Sequence, residues 1–160
     1  MGHDITAYIK PKSGVDKIEI AYFRISAFNV LRRKLFYGTL KGSDVANGGV
    51  SGNGNVLTYT RNEINTAKEA CKYFLDDIDA LKEFILSKYN LEADKNVRKF
   101  EEILTLVFGN YIEETEIEID NSVEEIKENL VDIILFHHKI LQAYDDAARK
   151  NNIEIEIDFS

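Results

Sequence analysis

Apolar and polar residues alternate near both ends of the chain, and this alternation predicts half-buried strands. Between Asp4 and Ile9, positions 5, 7 and 9 are apolar and share one side, while positions 4, 6 and 8 face the other side. The stretch Lys17–Ile25 is rich in β-branched and aromatic residues, which predicts a second strand that forms a hairpin with the first. Ile153–Phe159 alternates strictly, so we expect a final strand that returns beside the hairpin.

Apolar spacing of three to four residues predicts a short helix directly after the hairpin. Ser26 is a suitable cap for a helix over Ala27–Tyr37, and Gly38 is a suitable residue to end it. Positions 28, 31 and 35 form the predicted buried face, and positions 33, 34 and 37 point away from it.

The longer helices are also predicted from apolar spacing. Thr60 and Glu63 have the spacing of a capping box, and the helix that follows has apolar residues at 64, 67, 71, 74, 78, 81 and 85, with a break expected near 76–77. A further helix is expected over 94–112, and a last helix from Ser122, which forms a second capping box with Glu125, to about Lys150. Residues 56–59 suggest a short additional strand.

These elements predict an α+β fold in which a small, mainly antiparallel sheet packs against three to four helices. The N-terminal hairpin and the C-terminal strand form the sheet. The chain has 160 residues and no long linker-like tract, so we expect a single domain over 1–160.

Composition narrows the classes of function. The net charge of −8 argues against general binding to nucleic acid or to anionic membranes, although residues 1–41 carry +5 and the remainder −13. The sequence shows no apolar run long enough for a membrane span and no leader pattern, and Cys71 is its single cysteine, so the cytoplasm is the expected compartment. We expect no cofactor and no metal.

The stretch ANGGVSGNGN, residues 46–55, is the most distinctive local composition, because it holds four of the nine glycines. It lacks the lysine of a phosphate loop, the spacing of a dinucleotide loop and the last glycine of a nucleophile elbow. Two interpretations remain open. The stretch is either a sharp structural turn, or a loop whose backbone N–H groups bind an anion or other small ligand.

The second interpretation predicts a pocket, with a hydrolytic role left open. Its residues would be drawn from the first strand, the N-terminal basic cluster and the loop: His3, Arg24, Arg32, Gly49, Ser51, Gly52, Asn53 and Gly54. The basic cluster is Arg24, Arg32, Arg33 and Lys34, so positions 33 and 34 are further candidate cations. Guanidinium groups and backbone N–H groups could converge there on a phosphate or a carboxylate.

The remaining titratable residues favour structural roles. His137 lies at the centre of an apolar helical stripe, which predicts a hydrogen-bonded core histidine rather than a metal ligand, and His138 lies at its flank. If His3 approached His137, the two could form a metal site with an acid. Cys71 lies in the middle of the 64–85 stripe, which predicts a buried, inert thiol.

The sequence contains no recognisable set of catalytic residues, so whether the protein is an enzyme is left open. The first functional prediction is a protein-interaction or regulatory module. The acidic stretch 113–128 offers a surface for a basic partner, with Glu113, Glu114, Glu116 and Glu118 as the predicted contacts. The alternative is a protein that binds a small anion at residues 46–55. A homo-oligomer is compatible with either function.

Overall fold

The computed structural model describes residues 2–12, 16–26, 29–88, 123–148 and 150–160. The strands in these residues are β1 (Gly2–Pro11), β2 (Ile18–Ser26), β3 (Val56–Tyr59) and β4 (Ile153–Phe159). The α-helices are α1 (Val30–Thr39), α2 (Arg61–Asp76), α3 (Ile78–Lys88) and α4 (Val123–Asp146). Short 3-10 turns cover Ser43–Ala46 and Lys150–Asn152.

The four strands form one antiparallel sheet in the order β2-β1-β4-β3. Ile5 of β1 lies opposite Phe23 of β2 on one side and Phe159 of β4 on the other. The predicted α+β class is therefore confirmed, and so is the return of the C-terminal strand beside the N-terminal hairpin.

One face of the sheet carries the core. Apolar residues alternate along each strand, so Ile5, Phe23 and Ile157 are buried on the same side as the helices. The α4 side chains close this core, with the ring of Phe136 5.5 Å from that of Phe23. Helix α2 packs along α4 and extends the same apolar cluster.

The start of α2 and the predicted break after it are both present. The Thr60 hydroxyl accepts a hydrogen bond from the Glu63 N–H, and the Glu63 carboxylate accepts one from the Thr60 N–H. This capping box satisfies N–H groups that the first turn leaves without helical partners. Helix α2 ends at Asp76, and α3 begins at Ile78.

Three details of the helix predictions are wrong. Ser26 stays in the β1–β2 ladder opposite Gly2, and Asn29 caps α1 instead, because its side chain accepts a hydrogen bond from the Arg32 N–H. Gly38 lies inside α1 rather than at its end. Tyr37 is buried rather than pointing away, since the sheet lies on that side of the helix.

The last helix ends at Asp146 rather than near Lys150, and a 3-10 turn takes the chain from there into β4. The predicted helix over 94–112 and the second capping box at Ser122 lie outside the described residues. Within the described part of the chain, no helix is both long and apolar enough to cross a membrane.

Candidate functional site

The glycine-rich loop, residues 46–55, lies against the end of β4. The Gly52 N–H donates to the Ser160 carbonyl at 3.0 Å, and the Gly54 N–H donates to the Phe159 carbonyl at 2.8 Å. The Phe159 N–H donates back to the Asn55 carbonyl at 2.9 Å. The loop is therefore joined to the sheet through its backbone.

Other N–H groups of the loop donate to acceptors inside it. The Gly49 N–H donates to the Asn47 side chain at 3.0 Å, and the Asn55 N–H donates to the Asn53 side chain at 3.1 Å. Gly49 and Gly54 have φ angles of 90° and 82°, a region that glycine adopts without a steric penalty. This use of the asparagines and glycines is what a structural turn requires.

Anion binding by the loop stays a prediction, and several of the donors that it would need already have acceptors. The hydroxyl of Ser51 also has one, since it donates to the Gly52 carbonyl at 3.0 Å. The side-chain amide of Asn53 donates to the Val45 carbonyl. These contacts favour the turn interpretation over the binding interpretation.

His3 is the side chain that the loop covers most directly. It is fully buried, its Nε2 lies 3.0 Å from the Gly49 carbonyl and its Nδ1 lies 2.9 Å from the Tyr37 hydroxyl. A carbonyl only accepts, so Nε2 carries the proton and Nδ1 accepts from Tyr37. Burial lowers the pKa of His3, and the neutral ring links β1, α1 and the loop.

Arg33 completes this cluster. Its guanidinium donates to the same Gly49 carbonyl that His3 contacts, and its charge further lowers the pKa of His3. Burial raises the pKa of Tyr37 to about 12, so its hydroxyl stays protonated as a donor. Arg33 belongs to the basic cluster that the sequence predicts as a source of anion contacts. Tyr37 was not predicted at the site, although Arg33 and Tyr37 are four apart and therefore share a helix face.

The other predicted arginines lie elsewhere. Arg24 donates to the Asp4 carboxylate at 2.6 Å on the sheet face opposite to His3. A hydrogen bond from Tyr22, followed by that from Arg24, lowers the pKa of Asp4. Arg32 donates to Asp132 of α4 at 2.6 Å. The structure therefore brings the loop to His3 but not to Arg24 or Arg32.

The buried hydroxyl of Tyr37 leads to a first prediction. Tyr37→Phe leaves Nδ1 of His3 buried without its donor, which should cost about 1–3 kcal/mol in the free energy of unfolding, measured by urea denaturation. Tyr22→Phe is the matched control, because its hydroxyl contacts Asp4 at an exposed position and its loss should cost under about 0.5 kcal/mol. Equal stabilities of the two variants would contradict the role assigned to His3.

His137 is buried as predicted, but the predicted hydrogen bond is absent. Neither ring nitrogen has a hydrogen-bond partner among the described residues. The neighbours are aromatic instead, with Phe36 stacked on the imidazole at 5.8 Å and Phe136 edge-on at 5.5 Å. Burial lowers the pKa of His137 to about 3, so the ring is neutral at pH 7.

No group of three potential metal ligands occurs in the described part of the chain. His3 contacts Tyr37 and Gly49, whereas His137 contacts aromatic rings, so the structure gives no support to the two-histidine site. Cys71 is buried beside the Thr39 hydroxyl at 3.6 Å, and burial raises the pKa of its thiol to about 11, as expected for an inert cysteine. His138 is exposed, with Nδ1 3.4 Å from Lys68 Nζ.

The predicted acidic contacts Glu113, Glu114, Glu116 and Glu118 lie outside the described residues, so their role stays a prediction. Among the described elements, the outer edge of β2 is the surface best suited to contact another protein. No described strand pairs with that edge, and Ile18 and Tyr22 on the same strand are 64% and 54% exposed.

Comparisons of this chain with models of protein families, with curated proteins and with solved structures find no match. The described residues form an α+β protein with a four-stranded antiparallel sheet. A proposal about function therefore depends on the contacts of this chain.

Proposed function

We propose that this chain is a protein-interaction module that binds an extended segment of a partner protein along the outer edge of β2. The observation that carries the proposal is the nine-residue length of this edge strand, which no described strand covers. An unpaired edge presents a row of backbone N–H and C=O groups, and an added strand satisfies them.

The opposite edge of the sheet is much less suited to this role. Strand β3 has four residues, a length typical of protected edges. Strand β2 contains neither proline nor lysine, the residues that commonly block edges. Its one irregularity of register lies opposite Ala7 and Tyr8, so Ala21–Ser26 continues in regular pairing with β1.

The charges on the outer face of the sheet indicate that the edge of β2, rather than this face, is the contact surface. Several of its charged groups are paired with each other, as in the ion pair of Arg24 with Asp4. Lys10 and Lys17 both contact the Glu156 carboxylate, at 3.6 Å and 3.0 Å. Paired charges on a solvated face need no partner, whereas unpaired edge groups gain hydrogen bonds from one.

The net charge indicates the chemistry of the partner. The charge of −8 is uneven: residues 1–41, which include β2, carry +5 and the remainder carries −13, so the attraction for basic segments comes from the remainder of the chain. We therefore propose a β-forming segment flanked by lysine or arginine. The acidic residues 113–118 remain a second proposed contact for the same basic partner.

The test compares two pairs of lysine substitutions. Ile18→Lys with Tyr22→Lys adds charge along β2, and Val131→Lys with Leu135→Lys is the matched control on exposed positions of α4. A partner captured from cell lysate is purified, and its affinity for each variant is measured. We expect at least tenfold weaker binding for the β2 variant, since an edge lysine opposes strand addition, and little change for the control.

Two results would contradict the proposal. One is equal weakening by the β2 and α4 variants, which would indicate a general charge effect. The other is that wild-type protein captures no partner. Circular dichroism of both variants checks that each is folded before its affinity is compared.

A further inference from the structure

A cavity of about 420 Å³ opens where β3, β4, the start of α2 and the end of α4 meet. It is separate from the outer edge of β2, because β3 lies at the other side of the sheet. Neither the β2 proposal nor the glycine-rich loop involves its lining. Its volume lies in the range of sites that hold small molecules.

The cavity is locally positive in an acidic protein. Lys12, Arg61 and Lys150 line it, together with the carboxylate of Glu154. The carboxylate of Asp145 is paired with Arg61 beside the cavity, so the formal balance is +1 and the rest of the chain carries −9. A local cluster of cations in an acidic chain concentrates small anions at that position.

The two lysines are available to a ligand. Within the described residues, neither Lys12 nor Lys150 has a carboxylate within 4.0 Å of its ammonium group, unlike Lys10 and Lys17 nearby. Hydrogen bonds fix the main chain at both lysines, since the Lys12 N–H donates to the Asn152 carbonyl at 2.8 Å. The Lys150 carbonyl accepts from the Tyr144 hydroxyl at 3.3 Å.

Arg61 contributes a fixed guanidinium. Its Nε and one terminal nitrogen donate to the two oxygens of Asp145, at 2.8 Å and 2.9 Å. This bidentate contact orients the side chain and leaves its remaining N–H groups for another acceptor. Phosphate oxygens are suited to such a donor because they accept several hydrogen bonds at once.

The other walls suit the organic part of a ligand. Tyr144 offers an aromatic surface, and Asn151 and Thr58 offer neutral polar groups. A site with a cationic region and a mixed aromatic and polar wall can distinguish a phosphate ester from inorganic phosphate. We propose that this cavity binds a phosphomonoester of a small planar molecule, with the phosphate contacted by Lys12, Lys150 and Arg61.

The experiment uses adenosine monophosphate as the probe, with inorganic phosphate and adenosine beside it, in isothermal titration calorimetry of the full chain. We expect saturable binding of the nucleotide with a dissociation constant below about 1 mM. Inorganic phosphate should bind more weakly because it lacks contacts with Tyr144. Adenosine should bind at least about tenfold more weakly because it lacks the charge-assisted contacts.

The variants are Lys12→Met with Lys150→Met, and the matched control, Lys127→Met with Lys139→Met, removes the same two charges from exposed positions of α4. The double variant should weaken nucleotide binding at least tenfold, whereas the control should leave it unchanged. A readout in wild-type protein is independent of the variants: the amide resonances of Thr60 and Asn151 should shift on titration.

The proposal is overturned if the wild type shows no saturable binding below about 1 mM. It is also overturned if adenosine binds as tightly as the nucleotide, or if the double variant retains full affinity. Equal loss in the control, Lys127→Met with Lys139→Met, would show that net charge, rather than this cavity, attracts the nucleotide. None of these outcomes bears on β2, so the two proposals fail separately.

Discussion

Acidification from pH 7 to pH 5 is expected to lower the free energy of unfolding by about 2 kcal/mol through His137 alone, and by about 3 kcal/mol at pH 4. The pKa of this histidine is about 3 in the folded chain, against 6.5 for an ordinary histidine. The unfolded chain therefore binds a proton below pH 6.5 that the folded chain does not bind. The contribution of His137 to stability is fully present above pH 6.5, and it is lost progressively as the pH falls toward 3.

The pKa of His137 is low because its ring is buried among aromatic side chains. Phe36 and Phe136 offer no acceptor, so a protonated imidazole would be buried without a hydrogen bond or counter-charge from the described residues. His137→Leu removes both the titration and the two unpaired nitrogens. We expect it to be as stable as wild type at pH 7, or more stable by about 1–3 kcal/mol.

Urea denaturation at pH 7, 6 and 5 checks this prediction. In His137→Leu, the free energy of unfolding should fall much less between pH 7 and pH 5 than in the wild type. In His138→Leu it should fall as in the wild type, because His137 is still present. Some decline should persist in His137→Leu, since burial also lowers the pKa of His3. Carboxylates such as Asp145, whose pKa is lowered by its hydrogen bonds with Arg61, contribute mainly below about pH 5. An unchanged decline in His137→Leu would contradict the assignment.

Replacement of Gly52 by alanine should be the most disruptive change in the glycine-rich loop. A Cβ atom at this position would lie 2.5 Å from the carbonyl carbon of Phe159 and 2.8 Å from the Ser160 nitrogen. Both atoms belong to the backbone, so no rotation of a side chain can relieve the contact. The loop must move away from β4, and the hydrogen bonds of Gly52 and Gly54 to that strand are strained or lost.

We expect Gly52→Ala to cost about 2–4 kcal/mol and to lower the melting temperature by roughly 5–10 °C. Ser51→Ala is the matched control, because Ser51 is exposed and its hydroxyl has the Gly52 carbonyl as its one hydrogen-bond partner among the described residues. Its cost should be under about 0.5 kcal/mol. A Gly52→Ala variant as stable as Ser51→Ala would contradict the close packing of the loop on β4.

The α+β class and most of the strands and helices could be predicted because they leave recognisable patterns in short stretches of sequence. Strict alternation marks Ile153–Phe159, and a capping box marks the start of α2. The ends of α1 were less predictable, because Ser26 and Asn29 are both good caps. The pairing of Ser26 with Gly2, which decides between them, is a contact between residues far apart in the sequence.

The contacts of the predicted site residues were harder to predict than the ends of α1, because more of them join residues far apart in the sequence. Alternation placed His3 and Asp4 on opposite faces, and this separation is present. The contacts of His3 with Tyr37 and Gly49 depend on how α1 and the loop pack against β1. The contact of Arg24 with Asp4 depends on the register of the β1–β2 hairpin. A sequence shows the types of these residues but not which of them share a face of the folded chain.

The proposed contact along β2 is tested most directly by amide hydrogen exchange of the complex reconstituted from purified chain and partner. We predict slower exchange within residues 18–26 in the complex, because an added strand accepts hydrogen bonds from the outer N–H groups of β2. Exchange in β3 should change little. Unchanged exchange across 18–26, with protection at another surface of the chain, would contradict the proposal.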